Sequence, residues 1–278
     1  MPREGKNMKR VRSLVDGSCK TAAVLALTAF TLGACATPPS DPAARAEFEK
    51  TNDPLEPLNR KIFDFNLFID RVAFKPVARG YVAVVPEIGR NALRHFLDNL
   101  NEPLVFTNDL LQGQFKRAHD TFARFLMNTT FGLGGMMDLA SKSGLEKQTG
   151  DFGQTLYSWG VPDGPYLVLP FLGPSDPRDA VGMGVDSYAD PWDRLAWNYH
   201  YWYLGIVRGA VDAVDQRARN LETFDELQRN AIDFYAELRS LWRQHRAAEL
   251  RHGEPAPIPG LDSLYRDPAA QTSQATAK

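Results

Sequence analysis

Cysteine is nearly absent: two residues in 278, Cys19 and Cys35, which rules out a disulfide framework as the source of stability. No run of 18 apolar residues occurs, so no helix is built to cross a bilayer. Glycine (21) and proline (19) stand near ordinary usage, which excludes collagen-like and low-complexity chains. A formal charge of -2 excludes a general nucleic-acid binder, which would carry a basic excess. Catalytic signatures are missing too. There is no Gly-x-Ser-x-Gly elbow, no Ser-x-x-Lys pair, no phosphate loop and no His-Glu-x-x-His. His95, His119, His200, His245 and His252 share no ligand spacing, and no dinucleotide pattern surrounds the glycines near 132. Asp151, Asp163, Asp176, Asp179, Asp186 and Asp190 stand beside Gly or Pro or near helix starts, where acidic residues cap turns and helices. The chain is expected to be no enzyme and to need neither metal nor cofactor. What it does have is 44% hydrophobic and 11% aromatic residues, enough for one or two globular domains.

The N-terminus reads as an address. Arg3, Lys6, Lys9, Arg10, Arg12 and Lys20 precede an apolar stretch from Thr21 to Leu32, and then comes Leu32-Gly33-Ala34-Cys35. A basic region, a short apolar region and small residues mark a secretory signal. Leu-Gly-Ala-Cys resembles the bacterial lipobox, in which the cysteine thiol takes up a diacylglyceryl group and the signal is cut just before it. Residues 1–34 are therefore expected to be removed, taking Cys19 with them, and Cys35 to be lipidated. At about 0.8 kcal/mol per buried CH2, several acyl chains would hold the protein on a membrane almost permanently. Ala36 follows the cysteine, which by resemblance to enterobacterial sorting favours the outer membrane.

Residues 35–50 then form a lipidated terminus and linker, 51–253 a helical domain and 254–278 a disordered tail rich in Pro, Ala, Gln, Thr and Ser. Leu93, Phe96, Leu97 and Leu100 mark an amphipathic helix that Pro103 interrupts. A second, over Ala118, Phe122, Phe125, Leu126 and Thr129, ends in the glycine-rich turn at 131–135. Ser175 or Asp176 caps a helix with Pro177 in its first turn. Thr223 and Glu226 open one long final helix, with a stripe from Phe224 to Trp242 and a stop at Gly253. Only Tyr166 to Leu169, between two prolines, suggests extended backbone. The class is all-α.

Two segments are unusually apolar. On a helical wheel, residues 59–75 have a wide apolar face (Ile62, Phe65, Phe68, Ile69, Val72, Ala73) and a second nearly opposite (Phe63, Leu67, Phe74), with polar seams between. Such a helix is either sandwiched inside protein or has lipid on one side; the lipobox favours lipid. Trp192, Trp197, Tyr199, Tyr201, Trp202 and Tyr203 fall within twelve positions. Trp and Tyr gather where one end of a side chain is wet and the other apolar, as at a membrane interface, although they also cluster where helices pack.

The serial order of short motifs is more specific. Asp53-Pro-Leu-Glu-Pro-Leu-Asn59-Arg60, Phe65-Asn66, Lys75-Pro76, Asn99-Leu100, Leu111-Gln112-Gly113, Arg124-Phe125, Asn128-Thr129, Gly132-x-Gly134-Gly135-x-x-Asp138, Asp151-Phe-Gly-Gln-Thr155, Gly164-Pro165 through Pro170, and Arg178-Asp179 resemble the MlaA (VacJ) family of outer-membrane lipoproteins. The resemblance implies a ring of amphipathic helices embedded in the inner leaflet of the outer membrane around a central amphipathic channel. It implies removal of phospholipid misplaced in the outer leaflet, delivery to a periplasmic phospholipid-carrier protein, and association with a trimeric outer-membrane porin. Within that scheme Phe63, Leu67 and Phe74 are expected to face lipid while Ile62, Phe65 and Ile69 pack inward. Trp192, Trp197, Tyr201 and Trp202 are expected at the membrane interface. Gly132, Gly134, Gly135, Asp138, Gly164 and Pro165 are candidates for the channel mouth, or serve only as turns between helices. A rival expectation is a lipoprotein that braces porins without moving lipid.

Overall fold

A computed structural model describes residues 53–252 together with Asp41. Cys35, the linker other than Asp41, residues 51 and 52, Gly253 and the tail from 254 lie outside the described residues. Helices dominate, as expected. The exception is one antiparallel ribbon, β1 (Leu167–Leu169) on β2 (Gly173–Ser175), with Leu167 opposite Ser175; its first strand is the segment read as extended.

α1 (Glu56–Ile69) has proline in its first turn, where the missing N–H costs nothing. It passes through one wide turn, Asp70–Phe74, into α2 (Lys75–Val84). The Lys75 N–H reaches back five residues to the Asp70 carbonyl. Pro76, next along, has no N–H and breaks the regular ladder, and such breaks are absorbed by a π-type turn. A uniform wheel slips across this point.

The orientation of α1 reverses part of the sequence expectation. Phe63, assigned to lipid, is buried with Tyr166, Val168 and Tyr235, and Ile62 and Leu67 pack against them. Phe65, assigned inward, is 42% exposed and lies edge-on to Phe171 at the ribbon tip. Phe74 is half-buried. The cause is a pair of asparagines. Asn59 Nδ2 donates to the Tyr166 carbonyl (3.0 Å) and Asn59 Oδ1 accepts from the Val168 N–H (3.0 Å). Two turns on, Asn66 Nδ2 donates to the Leu169 carbonyl (2.9 Å) and its Oδ1 accepts from the Phe171 N–H (2.9 Å). Buried backbone groups of β1 must find partners, so the asparagine face docks inward, and Phe63, between the two on the same stripe, goes with it.

α3 (Glu87–Leu111) runs unbroken through Pro103. The lost bond is outweighed by a polar zipper to α4 (Phe115–Thr130): Asn99 to Thr129 (2.9 Å), Arg124 to Glu102 (3.0 Å) and Thr121 to Asp109 (2.9 Å). Aspartates then cap a series of helices: Asp138 on α5 (Leu139–Lys142), Asp151 on α6 (Phe152–Ser158), Asp176 on α7 (Pro177–Ala189) and Asp190 on α8 (Pro191–Asn198). α9 (Tyr203–Arg219) follows. The long final helix is in fact two, α10 (Leu221–Asn230) and α11 (Phe234–Leu250). Thr223 lies inside α10 and is no cap. The chain opens at Ala231, and Asp233 caps α11 through the Ala236 N–H while holding Arg60 of α1 (2.6 Å).

Burial is inverted relative to a water-soluble domain. Among the described residues nine hydrophobic side chains are buried against eighteen polar or charged ones. Phe115, Phe122 and Leu126 of α4 stand exposed while Thr121, Arg124 and Asn128 are buried. No described helix is long and apolar enough to cross a membrane.

Candidate functional site: an apolar groove between four helices

α2, α3, α8 and α9 surround two cavities. One, ≈ 590 Å³, is walled by Leu93, Phe96, Leu97 and Leu100 of α3, by Trp192, Leu195 and Ala196 of α8, by Leu204, Val207 and Val211 of α9, and by Tyr199 and Tyr201 between them. The other, ≈ 650 Å³, lies between Val77, Gly80, Tyr81 and Val84 of α2 and Val207, Ala210, Val211 and Val214 of α9. Leu93, Val207 and Val211 line both, so the two are stretches of one groove. Each volume falls in the range of small-molecule sites, about 300–1,000 Å³. The α3 wall is the amphipathic stripe recognised in the sequence; its apolar face looks onto space instead of a partner helix.

Charge is kept beside the groove and paired across helices. Asp215, 1% exposed, accepts from Arg94 Nε (3.2 Å) and pairs with Arg219 (3.0 Å), and the Tyr81 hydroxyl donates to it (3.3 Å). Burial, with the negative charge of Asp215, pushes the Tyr81 hydroxyl up. Asp190 caps α8 through the Trp192 and Asp193 N–H groups and receives Arg208 Nη2 at 2.5 Å. Burial opposes the charge on Arg208, but the hydrogen bond to Asp190 and the nearby Asp193 more than offset it. Asp193 is raised by burial and by its neighbour Asp190. Arg208 and Asp193 are the charged residues that line the groove.

None of the six residues expected at a channel mouth lines the groove. Gly132 and Gly135 are packing necessities. A Cβ on Gly132 would lie 2.4 Å from the Met137 carbonyl oxygen, and one on Gly135, at φ +95°, 2.6 Å from the Asn99 side chain. Gly134 has φ +70° and open space around it. Asp138 accepts from Ser141 and Asn128 and pairs with Arg124 (3.3 Å). Burial works against its charge, but these partners outweigh it and hold Asp138 down at about 2. Arg124, 2% exposed, also donates to Glu102, Ser141 and the Leu145 carbonyl. Burial nevertheless lifts Glu102 to about 7. Gly164, at φ +80°, sits against Pro177, where a Cβ would come within 3.2 Å, and Pro165 is half-buried beside it.

The aromatic group divides. Trp192 and Tyr201 line the groove, and Trp192 Nε1 donates to the Leu100 carbonyl (2.8 Å). Trp197 and Trp202 are 68% and 58% exposed. Sequence reasoning missed Val207, Val211, Asp193 and Arg208. Val207, Val211 and Val214 do carry helical spacing, but nothing in one sequence says that such a stripe faces a void. Among the described residues no group of three or more His, Cys, Asp or Glu could hold a metal ion.

Comparison with known proteins adds to the geometry. Residues 51–249 match the family model described as MlaA lipoprotein. The chain is 36% identical over 244 residues to the intermembrane phospholipid transport system lipoprotein MlaA of Haemophilus influenzae, covering 84% of this chain and 92% of that one. It is 33% identical over 249 residues to the protein of the same name from Escherichia coli, covering 87% and 94%. A solved structure described as the structural basis for maintenance of bacterial outer membrane lipid asymmetry superposes with a TM-score of 0.63 at 32% identity, over 71% of this chain and 98% of the other.

Proposed function

The chain belongs to the MlaA lipoprotein family, and we propose on that premise that it withdraws phospholipid misplaced in the outer leaflet of an outer membrane and passes it to a periplasmic carrier, so maintaining lipid asymmetry. The observation that carries this reading is the apolar groove set in a body whose own interior is largely polar. A phospholipid crossing hydrocarbon unaided drags an ionic headgroup through a medium where an unpaired charge is very costly. A groove with apolar walls and a few charged side chains offers both ends of the lipid what they need. No bond is made or broken, so no nucleophile or cofactor is required.

The exposed surface suits the same setting. Phe65 and Phe68 of α1, Val72 of the wide turn, Phe115, Phe122 and Leu126 of α4, and Phe171 and Leu172 at the ribbon tip face outward. Apolar exposure on this scale in a monomer marks contact with membrane or protein. In the proposal these residues meet lipid in the inner leaflet, Trp197 and Trp202 lie at its interface, and Cys35 anchors the chain through its linker. A trimeric porin is the proposed neighbour on the apolar face. A purely bracing role would explain the outside but leave the groove without a use.

Val211, which lines both cavities, supplies the test. Val211→Trp should fill the groove, leaving circular dichroism and membrane association unchanged. Organic extraction of the purified wild-type protein should release phospholipid approaching one per chain, and of the variant several-fold less. Equal lipid in both would defeat the reading.

A further inference from the structure

We infer that Arg208 and Asp193 together form a binding site for a zwitterionic phospholipid headgroup, the guanidinium taking the phosphate and the carboxylate the ammonium. This rests on the groove being a lipid path and names what it recognises. Within the 590 Å³ cavity these two are the only charged side chains among apolar and aromatic walls.

Arg208 is held from one side. Its Nη2 is bonded to Asp190 (2.5 Å), while Nη1 is buried without a hydrogen-bond partner and stands 3.7 Å from Asp193 Oδ1, too far for a hydrogen bond. Leaving a buried donor unpaired is expensive, on the order of 1–3 kcal/mol and more for a charged group. A phosphate oxygen is the acceptor an arginine fork fits best. Asp193 is placed as deliberately. A Cβ on Gly205 would lie 2.8 Å from its Oδ2 and 2.9 Å from its Oδ1, so only glycine there lets the carboxylate settle against α9, one turn before Arg208. Asp193 keeps a third of its side chain open. An anionic headgroup would meet the repulsion of Asp193, and a cationic one that of Arg208. A phosphate joined to an ammonium satisfies both, while its acyl chains lie along Leu93, Val207 and Val211.

The full chain, purified in detergent and equilibrated with equal amounts of phosphatidylethanolamine and phosphatidylglycerol, reports the preference as the ratio of extracted lipids. Wild type should favour phosphatidylethanolamine about fivefold. Asp193→Asn, which keeps the Asp190–Arg208 pair, should bring the ratio to that of the mixture or below. Gly205→Ala, which displaces the same carboxylate, should act in the same direction and serves if the first variant fails to fold. Bound lipid without headgroup preference in wild type, or a preference untouched by both variants, overturns the inference while leaving the transport reading intact. No bound lipid at all in wild type defeats the transport reading itself.

Discussion

Asn59 shows how one amide can set the orientation of a helix. Its side chain joins Asp53 (2.8 Å), the Tyr166 carbonyl and the Val168 N–H at 1% exposure. Asn59→Leu strands three buried polar groups, and the expected loss is on the order of 3 kcal/mol or more, read as a fall in the thermal unfolding midpoint. The glycines of the 132–135 turn separate by the same logic. Gly134→Ala should cost only the left-handed backbone penalty, about 1 kcal/mol, whereas Gly135→Ala adds a clash with Asn99 and should abolish stable folding; expression and thermal melts distinguish them. Titration is legible at this scale too. Glu102, at about 7 when folded and near 4.3 when unfolded, keeps its proton in the native state after the unfolded chain has lost it, so stability falls as pH rises from about 4.3 to 7. Asp138 and Asp233, held at about 2, contribute stability above about pH 4 that is lost as pH falls through 2. Thermal midpoints measured from pH 3 to 9 should therefore peak near pH 4 to 5, and Glu102→Gln should make the decline toward pH 7 shallower.

At the scale of elements, several local signals proved sound, although the capping box at Thr223 and Glu226 did not. Asp176 with Pro177 capped its helix as expected, and the stretch between Pro165 and Pro170 was extended. They failed where a partner distant in the chain decided. Pro103 does not stop α3, because Asn99, Glu102 and Asp109 are bound to α4 on both sides of it. Pro103→Ala should restore the missing helical bond and raise stability by up to about 3 kcal/mol, visible as a higher unfolding midpoint. The final helix divides because Asp233 caps α11 and grips Arg60 of α1, a residue 173 positions earlier. Periodicity cannot see that partner.

For the whole molecule, the informative quantity is the sign of burial. Ion pairs of the interior and its margin, such as Arg246 with half-buried Asp151 (2.7 Å) and buried Asp179 (2.6 Å), join α11 to α6 and α7, while many large apolar side chains stand outside. Desolvation makes such pairs weak sources of net stability, although breaking one is costly. The surroundings must therefore help by covering the apolar exterior. Adding phospholipid vesicles to detergent-depleted protein should raise the unfolding midpoint and shift tryptophan emission to the blue. Trp197→Phe with Trp202→Phe should remove much of that shift, while Trp192→Phe should remove less, because Trp192 is the least exposed of the three, at 36% against 68% and 58%.

The amino-acid sequence alone determined the all-α class, the caps at Asp151, Asp176 and Asp190, the extended ribbon strand and the serial motifs that place the chain in its family. Each of these depends on residues close together in the chain or on their order along it. Only the tertiary structure decided which face of α1 is buried, that α3 passes its proline, and that the stripe at Leu93 faces a groove instead of a neighbour. It alone brought Asp193 and Arg208 together over Gly205. Burial on one side or the other of an amphipathic helix depends on what stands opposite, and a helical period is the same whether that is protein, lipid or an empty cleft.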